Sequence, residues 1–237
     1  LLKELNTLIL VGLESINDYS RNVIYNKNLQ INDFYKVLEI NRELGLETGA
    51  FVFSGFHSMI EGEIIKDVEK TLFYLKKEKV MPVLMFPNLK NYSLLHLLYA
   101  YNRYNLIDPR TCVQLMTSLY NQFENSKITN RDKWLTGDVW GGPPASAIDM
   151  FSNSNKISCN YCSKIIANAA MRFRIDHDLD KFTKAIAPIH ICENNCDEKY
   201  NNYISRTSDK SLRQRTEENI LFAEKVVSLY LTERVDR

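Results

Sequence analysis

Three short apolar runs, each followed by a helix-period stripe, constrain this chain more than any other feature. The first, residues 6–14, ends in Gly12-Leu13-Glu14-Ser15. The second, 48–54, is aromatic and β-branched and leads to Gly55; the third, 80–86, runs into Pro87-Asn88. Between them apolar residues recur at three- and four-residue steps: Ile31, Phe34, Val37, Leu38 and Leu44 within 31–45, then Ile64, Ile65, Val68, Leu72 and Leu75 within 61–79. Asp33 near the start of the first stripe and Gly45 at its end are helix start and stop signals. Two more faces follow, through Leu94, Leu95, Leu98 and Tyr101 and through Leu115, Met116, Leu119 and Phe123. Short apolar runs bounded by turn formers read as buried strands, and the stripes as helices. The βαβαβα order predicts a parallel sheet with right-handed crossovers, as in half of a barrel or in an open sheet.

The character changes near Asn125. Residues 125–147 are rich in turn formers and without sustained period, so they read as a linker or an active-site loop, with Asp138 to Pro144 making the bend or lining a barrel mouth. Beyond them, helices are expected at 162–173, 178–187 and 214–232, the last with Ile220, Val227 and Leu231 on one face. The boundaries expected are therefore 1–124 and 125–237. With 45% hydrophobic and 25% charged residues in 237, the chain can bury a core, and a net charge of +1 supplies no long-range field for nucleic acid or an anionic membrane. No stretch approaches the roughly 18 apolar residues of a membrane span, so no membrane partner is expected and the cytoplasm is the expected compartment. The chain opens on Leu and enters a strand within a few residues; because an isolated parallel strand leaves its edge unpaired, further βα units are expected upstream.

Four cysteines carry the strongest intrinsic chemical signal. Cys159-x2-Cys162, then 29 residues, then Cys192-x3-Cys196, forms two knuckle-like pairs, each able to bring two thiolates to one ion at about 2.3 Å. Buried free thiols and disulfides are the alternatives, and a cytosolic setting disfavours disulfides. Zinc is the expected ion and a second iron–sulfur cluster its rival, since thiolates serve both; His190 is a substitute for one cysteine. Cys112, alone on a helical stripe, is expected to be a small core residue.

The segments GLESINDYSRNVIYNK, GLETGAFVFSGFHSMIEGEIIKDVEKTLFYL and VMPVLMFPNLKNYSLLHLLYAYNRY are similar, in order and spacing, to the fourth, fifth and sixth βα units of radical S-adenosylmethionine enzymes. Gly55, Glu61 and Thr71 stand where that superfamily has a glycine after the strand, a glutamate and a helical threonine; its loop proline is replaced by Phe56-His57-Ser58-Met59. Within the superfamily the chain resembles the archaeosine synthase radical subunit group, through Asn17-Asp18, Arg21, Asn26-Lys27 and the carboxyl-terminal Gly-Asp and cysteine pairs. The resemblance implies an α/β fold: half of a partial (βα)6 TIM-like barrel with parallel strands, plus a small, mostly helical Cys-rich module. It also implies an enzyme that cleaves S-adenosylmethionine reductively to a 5′-deoxyadenosyl radical for hydrogen abstraction. The [4Fe-4S] cluster of such enzymes sits in a Cys-x-x-x-Cys-x-x-Cys loop that this chain lacks, so its ligands are expected upstream and this chain alone is expected to be inactive. The implied substrate is a tRNA nucleoside, with the Cys-rich module holding tRNA or a partner enzyme subunit. The competing class is a non-catalytic metal-binding interaction module on an α/β scaffold.

Under that resemblance, the cofactor site falls on Glu14, Ser15, Arg21 and Gly55. A carboxylate and a hydroxyl at a strand's carboxyl end suit ribose hydroxyls and an ammonium, Arg21 suits a carboxylate, and a glycine lets adenine approach the backbone. The plainer readings are a helix cap at Ser15 or Asn17, a solvated Arg21 and a turn glycine. Glu61 reads as a first-turn helix residue without chemistry, and His57 as a loop histidine, substrate-facing or exposed.

Overall fold

The computed structural model describes residues 7–87, 89–91, 93–123, 157–176 and 178–235. Strands β1 (Leu8–Glu14), β2 (Glu47–Phe53) and β3 (Met81–Met85) form one parallel sheet in the order β1-β2-β3. Helix α1 (Ile31–Glu43) joins the first pair and α2 (Glu61–Lys77) the second, and each packs against the two strands it connects. The alternation and the parallel pairing expected from sequence are both present. The linker and bend expected at 125–147 lie outside the described residues.

Local signals explain the boundaries. Helix α1 stops where Gly45 takes a left-handed φ of 64°, a conformation glycine adopts without steric cost, and Leu44, expected on the core stripe, is exposed just beyond the last turn. Pro82 sits inside β3 opposite Ala50; proline has no N–H to give, and it is tolerated because β3 is an edge strand among the described residues. Leu13, Phe34, Leu38, Ala50, Val52, Leu72, Leu75 and Leu84 form the centre of the core between sheet and helices.

Helices α3 (Leu94–Ala100) and α4 (Pro109–Phe123) follow, and α4 lies along α2. Its apolar face buries Cys112, Leu115, Met116, Leu119 and Phe123, so Cys112 is the core residue expected. Helix α5 (Asn160–Asp176) packs on α4, and α6 (Leu179–Ile186) packs on α5 through Phe173 and Phe182, ring centroids 5.2 Å apart. A short 3-10 turn (Ala187–Ile191) leads to α7 (Cys196–Ile204), a helix the sequence reading did not anticipate. Gly62 in the first turn of α2 faces the carbonyl of Ile204 so closely that any Cβ there would collide with it. One hydrophobic cluster runs from Leu13 to Cys196 through these contacts.

The last helix, α8 (Leu212–Val235), departs from expectation. Val227, placed on its apolar face by spacing, is 51% exposed, and Leu221 and Leu229 are exposed with it; Thr216 and Asn219 are the buried positions. Hydrogen bonds, rather than an apolar stripe, set its rotation: Arg215 Nε donates to the Ser58 carbonyl at 2.7 Å and Asn219 Nδ2 to Ser58 Oγ at 2.9 Å. No helix among the described residues is long and apolar enough to cross a membrane.

Candidate metal centre and strand-end site

The four cysteines converge. Cys159 lies immediately before α5 and Cys162 in its first turn; Cys192 follows the 3-10 turn and Cys196 opens α7. Each pair is thus a loop closing into a helix, which turns two sulfurs to one point. Asn195, at a φ of 50°, makes the reversal between Cys192 and Cys196, and its N–H donates to the Cys192 carbonyl at 3.0 Å. The sulfurs of Cys159 and Cys192 are 3.7 Å apart, those of Cys192 and Cys196 also 3.7 Å, and all four lie within 4.8 Å of one another. Four bonds of about 2.3 Å in a tetrahedron place sulfurs about 3.8 Å apart. The quartet can therefore hold a metal ion or cluster. His190 is engaged elsewhere, bonded through Nδ1 to Asp197 at 2.8 Å.

The surroundings supply donors to the sulfurs. Buried Arg110, at the start of α4, directs Nη2 to Cys162 Sγ at 3.6 Å and to the Ile189 carbonyl at 3.0 Å, while Nε donates to Ser158 Oγ at 3.2 Å and Nη1 pairs with Asp197. Asp108 accepts from Ser158 Oγ at 2.8 Å and from the Arg110 N–H at 2.9 Å. The first turn of α4 is in this way tied to the residue preceding Cys159. The Cys159 N–H donates to Cys196 Sγ at 3.4 Å. Burial pushes the Cys162 and Cys196 thiols up. Against burial, hydrogen bonds from the Cys162 N–H and from the neighbouring thiols draw Cys159 down to about 6. Thiols packed this closely release protons when a cation replaces them. Arg110 and the Asp108–Ser158 link carry no sequence signal, because their partners are about fifty to eighty residues away.

The strand-end residues have separate fates. Glu14 ends β1 at a register shift and takes a left-handed φ of 65°, a strained conformation for a non-glycine residue. Its carboxylate is buried and pairs with Lys27 Nζ at 3.1 Å, and Gly12 leaves room for that lysine. Burial raises the Glu14 pKa, and the Lys27 ammonium partly offsets the rise. Ser15, fully buried, accepts from the Asn17 N–H at 2.9 Å, and it is Asn17, the other capping candidate, whose Oδ1 accepts from the Tyr19 N–H at 2.9 Å at the start of the next helical turn. Arg21 is fully buried, so it is not a solvated charge; it donates to the carbonyls of Leu29 at 2.7 Å, Ser15 at 2.9 Å and Ile16 at 3.2 Å, and pairs with Asp18 at 2.8 Å. Gly55 faces the Pro87 ring, which a Cβ would approach to 2.6 Å, and its carbonyl accepts from the Tyr104 hydroxyl at 3.1 Å.

No family model, curated protein or solved structure matches this chain.

Two residues given no role from sequence are structurally central. Glu61, expected as a first-turn helix residue, is buried and bonds to a different helix: Oε1 accepts from the Asp108 N–H and from Thr111 Oγ1 at 2.9 Å. Burial raises its pKa to about 7. His57 is buried rather than exposed, with Nδ1 2.7 Å from Ser58 Oγ and Nε2 3.1 Å from the Ile24 carbonyl, and burial lowers its pKa. Thr71, on α2, accepts from the Ile16 N–H at 3.1 Å and so braces the turn after β1.

Proposed function

We propose that this chain is the downstream part of a radical S-adenosylmethionine enzyme, its parallel strands forming half of a (βα)6 barrel and its four cysteines holding one zinc ion. The observation that carries the reading is the Glu14–Lys27 pair. A buried carboxylate, re-aimed by a bulge and a left-handed backbone, stands at the carboxyl end of a parallel strand beside a lysine 35% exposed. Open α/β sheets take ligands at that edge. With the donors of Arg21 turned inward, Lys27 is the cation that suits a ligand carboxylate, and Glu14 suits ribose hydroxyls or an ammonium. The resemblance supplies the chemistry, reductive cleavage to a 5′-deoxyadenosyl radical at a cluster ligated outside this chain, and a tRNA nucleoside as substrate.

The zinc assignment rests on distance. A [4Fe-4S] cubane gives each cysteine its own iron and spreads the sulfurs farther than four bonds to one centre do; sulfurs within 4.8 Å suit the single ion. With the centre joining the start of α5 to the start of α7, its role is to staple these helices and to present them to tRNA or a partner subunit.

Titration of S-adenosylmethionine into the full-length protein, reconstituted anaerobically with iron and sulfide, tests the first claim. Glu14→Gln and Lys27→Met are each expected to weaken binding about tenfold or more; unchanged affinity in both removes the site. Metal analysis tests the second: one zinc in aerobic and anaerobic preparations supports the staple, and iron found only without oxygen supports a cluster. Because the cysteine geometry stands apart from the strand ends, zinc without cofactor binding would favour the non-catalytic metal-binding interaction module.

A further inference from the structure

A cleft of about 590 Å³ opens between the loop before α2, the segment 103–107, the end of α7 and the first turns of α8. Its size falls within the range of small-molecule sites. Two of its cations are committed to the frame: Lys210 Nζ pairs with Glu218 at 2.7 Å, and Arg215 Nη2 with Glu63 at 2.5 Å. Two others have no carboxylate partner among the described residues. The Arg103 guanidinium lies 4.3 Å from the centroid of the Phe222 ring, and that of Arg206 5.4 Å from the Tyr203 ring. A guanidinium held against an aromatic face keeps its in-plane N–H fork free, the geometry that grips a carboxylate or phosphate.

Glu61 lines the same cleft and is 6% exposed. Its Oε1 is occupied by α4, whereas its Oε2 is buried without a hydrogen-bond partner. The Tyr203 hydroxyl approaches the carboxyl closely enough to favour its charged form, yet completes no bond to Oε2. A buried acceptor left unanswered costs about 1–3 kcal/mol, and a donor supplied by a ligand would recover it. Asp209 adds a second carboxylate on the rim, without a cation partner among the described residues.

We infer that this cleft binds a small zwitterion, its oxyanion held by Arg103 and Arg206 and its ammonium bonded to Oε2 of Glu61. Opposite charges on the ligand match the two unpaired guanidiniums and the two unpaired carboxyls, which a simple anion or a simple cation matches only by half. The site is distinct from the strand-end pair and shares no residue with it. Arg206 and Tyr203 also line an adjoining cleft of about 560 Å³ that reaches Cys159 and Cys196, so the ligand would sit one side chain away from the cysteine centre.

Calorimetric titration of the full chain with phosphoethanolamine, β-alanine and glycerol 3-phosphate tests the inference. The first two carry an ammonium and the third a hydroxyl. An ammonium-bearing probe is expected to bind about tenfold or more tightly than glycerol 3-phosphate; the stronger of the two identifies the oxyanion as phosphate or carboxylate. Glu61→Gln keeps an oxygen for the Asp108 N–H and Thr111 but presents an NH2 group where Oε2 stood, and should abolish the ammonium preference. In the unaltered protein, nitrogen-15 spectra of the arginine Nε–H groups should shift for Arg103 and Arg206 during the same titration. No binding at about 10 mM of any probe, an ammonium preference that survives Glu61→Gln, or silent Arg103 and Arg206 signals would overturn it.

Discussion

The turn after β1 and the cysteine centre solve opposite problems. At the turn, the chain answers its own polar groups: Arg21 donates to three carbonyls and one carboxylate, Ser20 Oγ donates to Asp67 at 3.0 Å, and Thr71 accepts the Ile16 N–H. At the centre, the sulfurs are answered chiefly by each other, with Arg110, Asn194 and the backbone N–H groups of Cys159 and Cys162 as the other donors. Four thiols converge on a point with one guanidinium beside them. The first region is answered almost wholly by protein groups, Asp67 Oδ2 being the buried atom left without a partner; the second has the geometry to take a cation at its middle.

Metal removal should separate the two regions most. Structural zinc supplies on the order of 10 kcal/mol to small domains, so chelation is expected to strip amide-exchange protection from 157–204 while β1 to β3 retain theirs. Equal loss in both regions would break the comparison. Next in size is Arg21→Met, which takes a donor from the buried Ser15 carbonyl and from the half-buried carbonyls of Ile16 and Leu29, the last still held by Asn22 Nδ2, and is expected to cost about 3 kcal/mol in urea unfolding, with metal content unchanged. Gly62→Ala probes the joint between the regions. Its methyl would strike the Ile204 carbonyl and push α7 from α2, at about 1–3 kcal/mol, and it should lower metal affinity as well as stability because Cys196 opens α7.

A last effect, on how stability varies with pH rather than on its level, is expected from Glu61→Gln. The folded state holds the Glu61 proton up to about 7, against 4.5 for the unreacted group, so it binds more protons than the unfolded chain in that window. Stability contributed by this group is therefore full below 4.5 and is lost as pH rises towards 7. The variant should show a shallower decline, by up to about 3 kcal/mol at neutral pH. Chemical denaturation at several pH values measures it, and parallel profiles would show that Glu61 does not titrate in this window.

The periodicities were sufficient for the elements. Spacing of Phe34 and Leu38, or of Ile64, Val68, Leu72 and Leu75, sets which helix face meets the sheet, because apolar burial depends only on local geometry and on there being a core. The same logic failed for α8, where Val227 is exposed and hydrogen bonds to Ser58 turn the helix by its polar side. It also missed α7, a nine-residue helix opened by Cys196 and too short for its stripe to stand out.

By itself the sequence determined the parallel βα order and the pairing of cysteines into two knuckles, since both are written in spacings of a few residues. Tertiary structure decided the rest. Whether Arg21 faces a ligand or the protein, whether Lys27 reaches Glu14, and whether Glu61 serves its own helix or α4 are all settled by partners brought together across the fold. A charged side chain's role follows from which opposite charges and carbonyls surround it after burial, and the desolvation that makes those contacts strong exists only once the chain has packed.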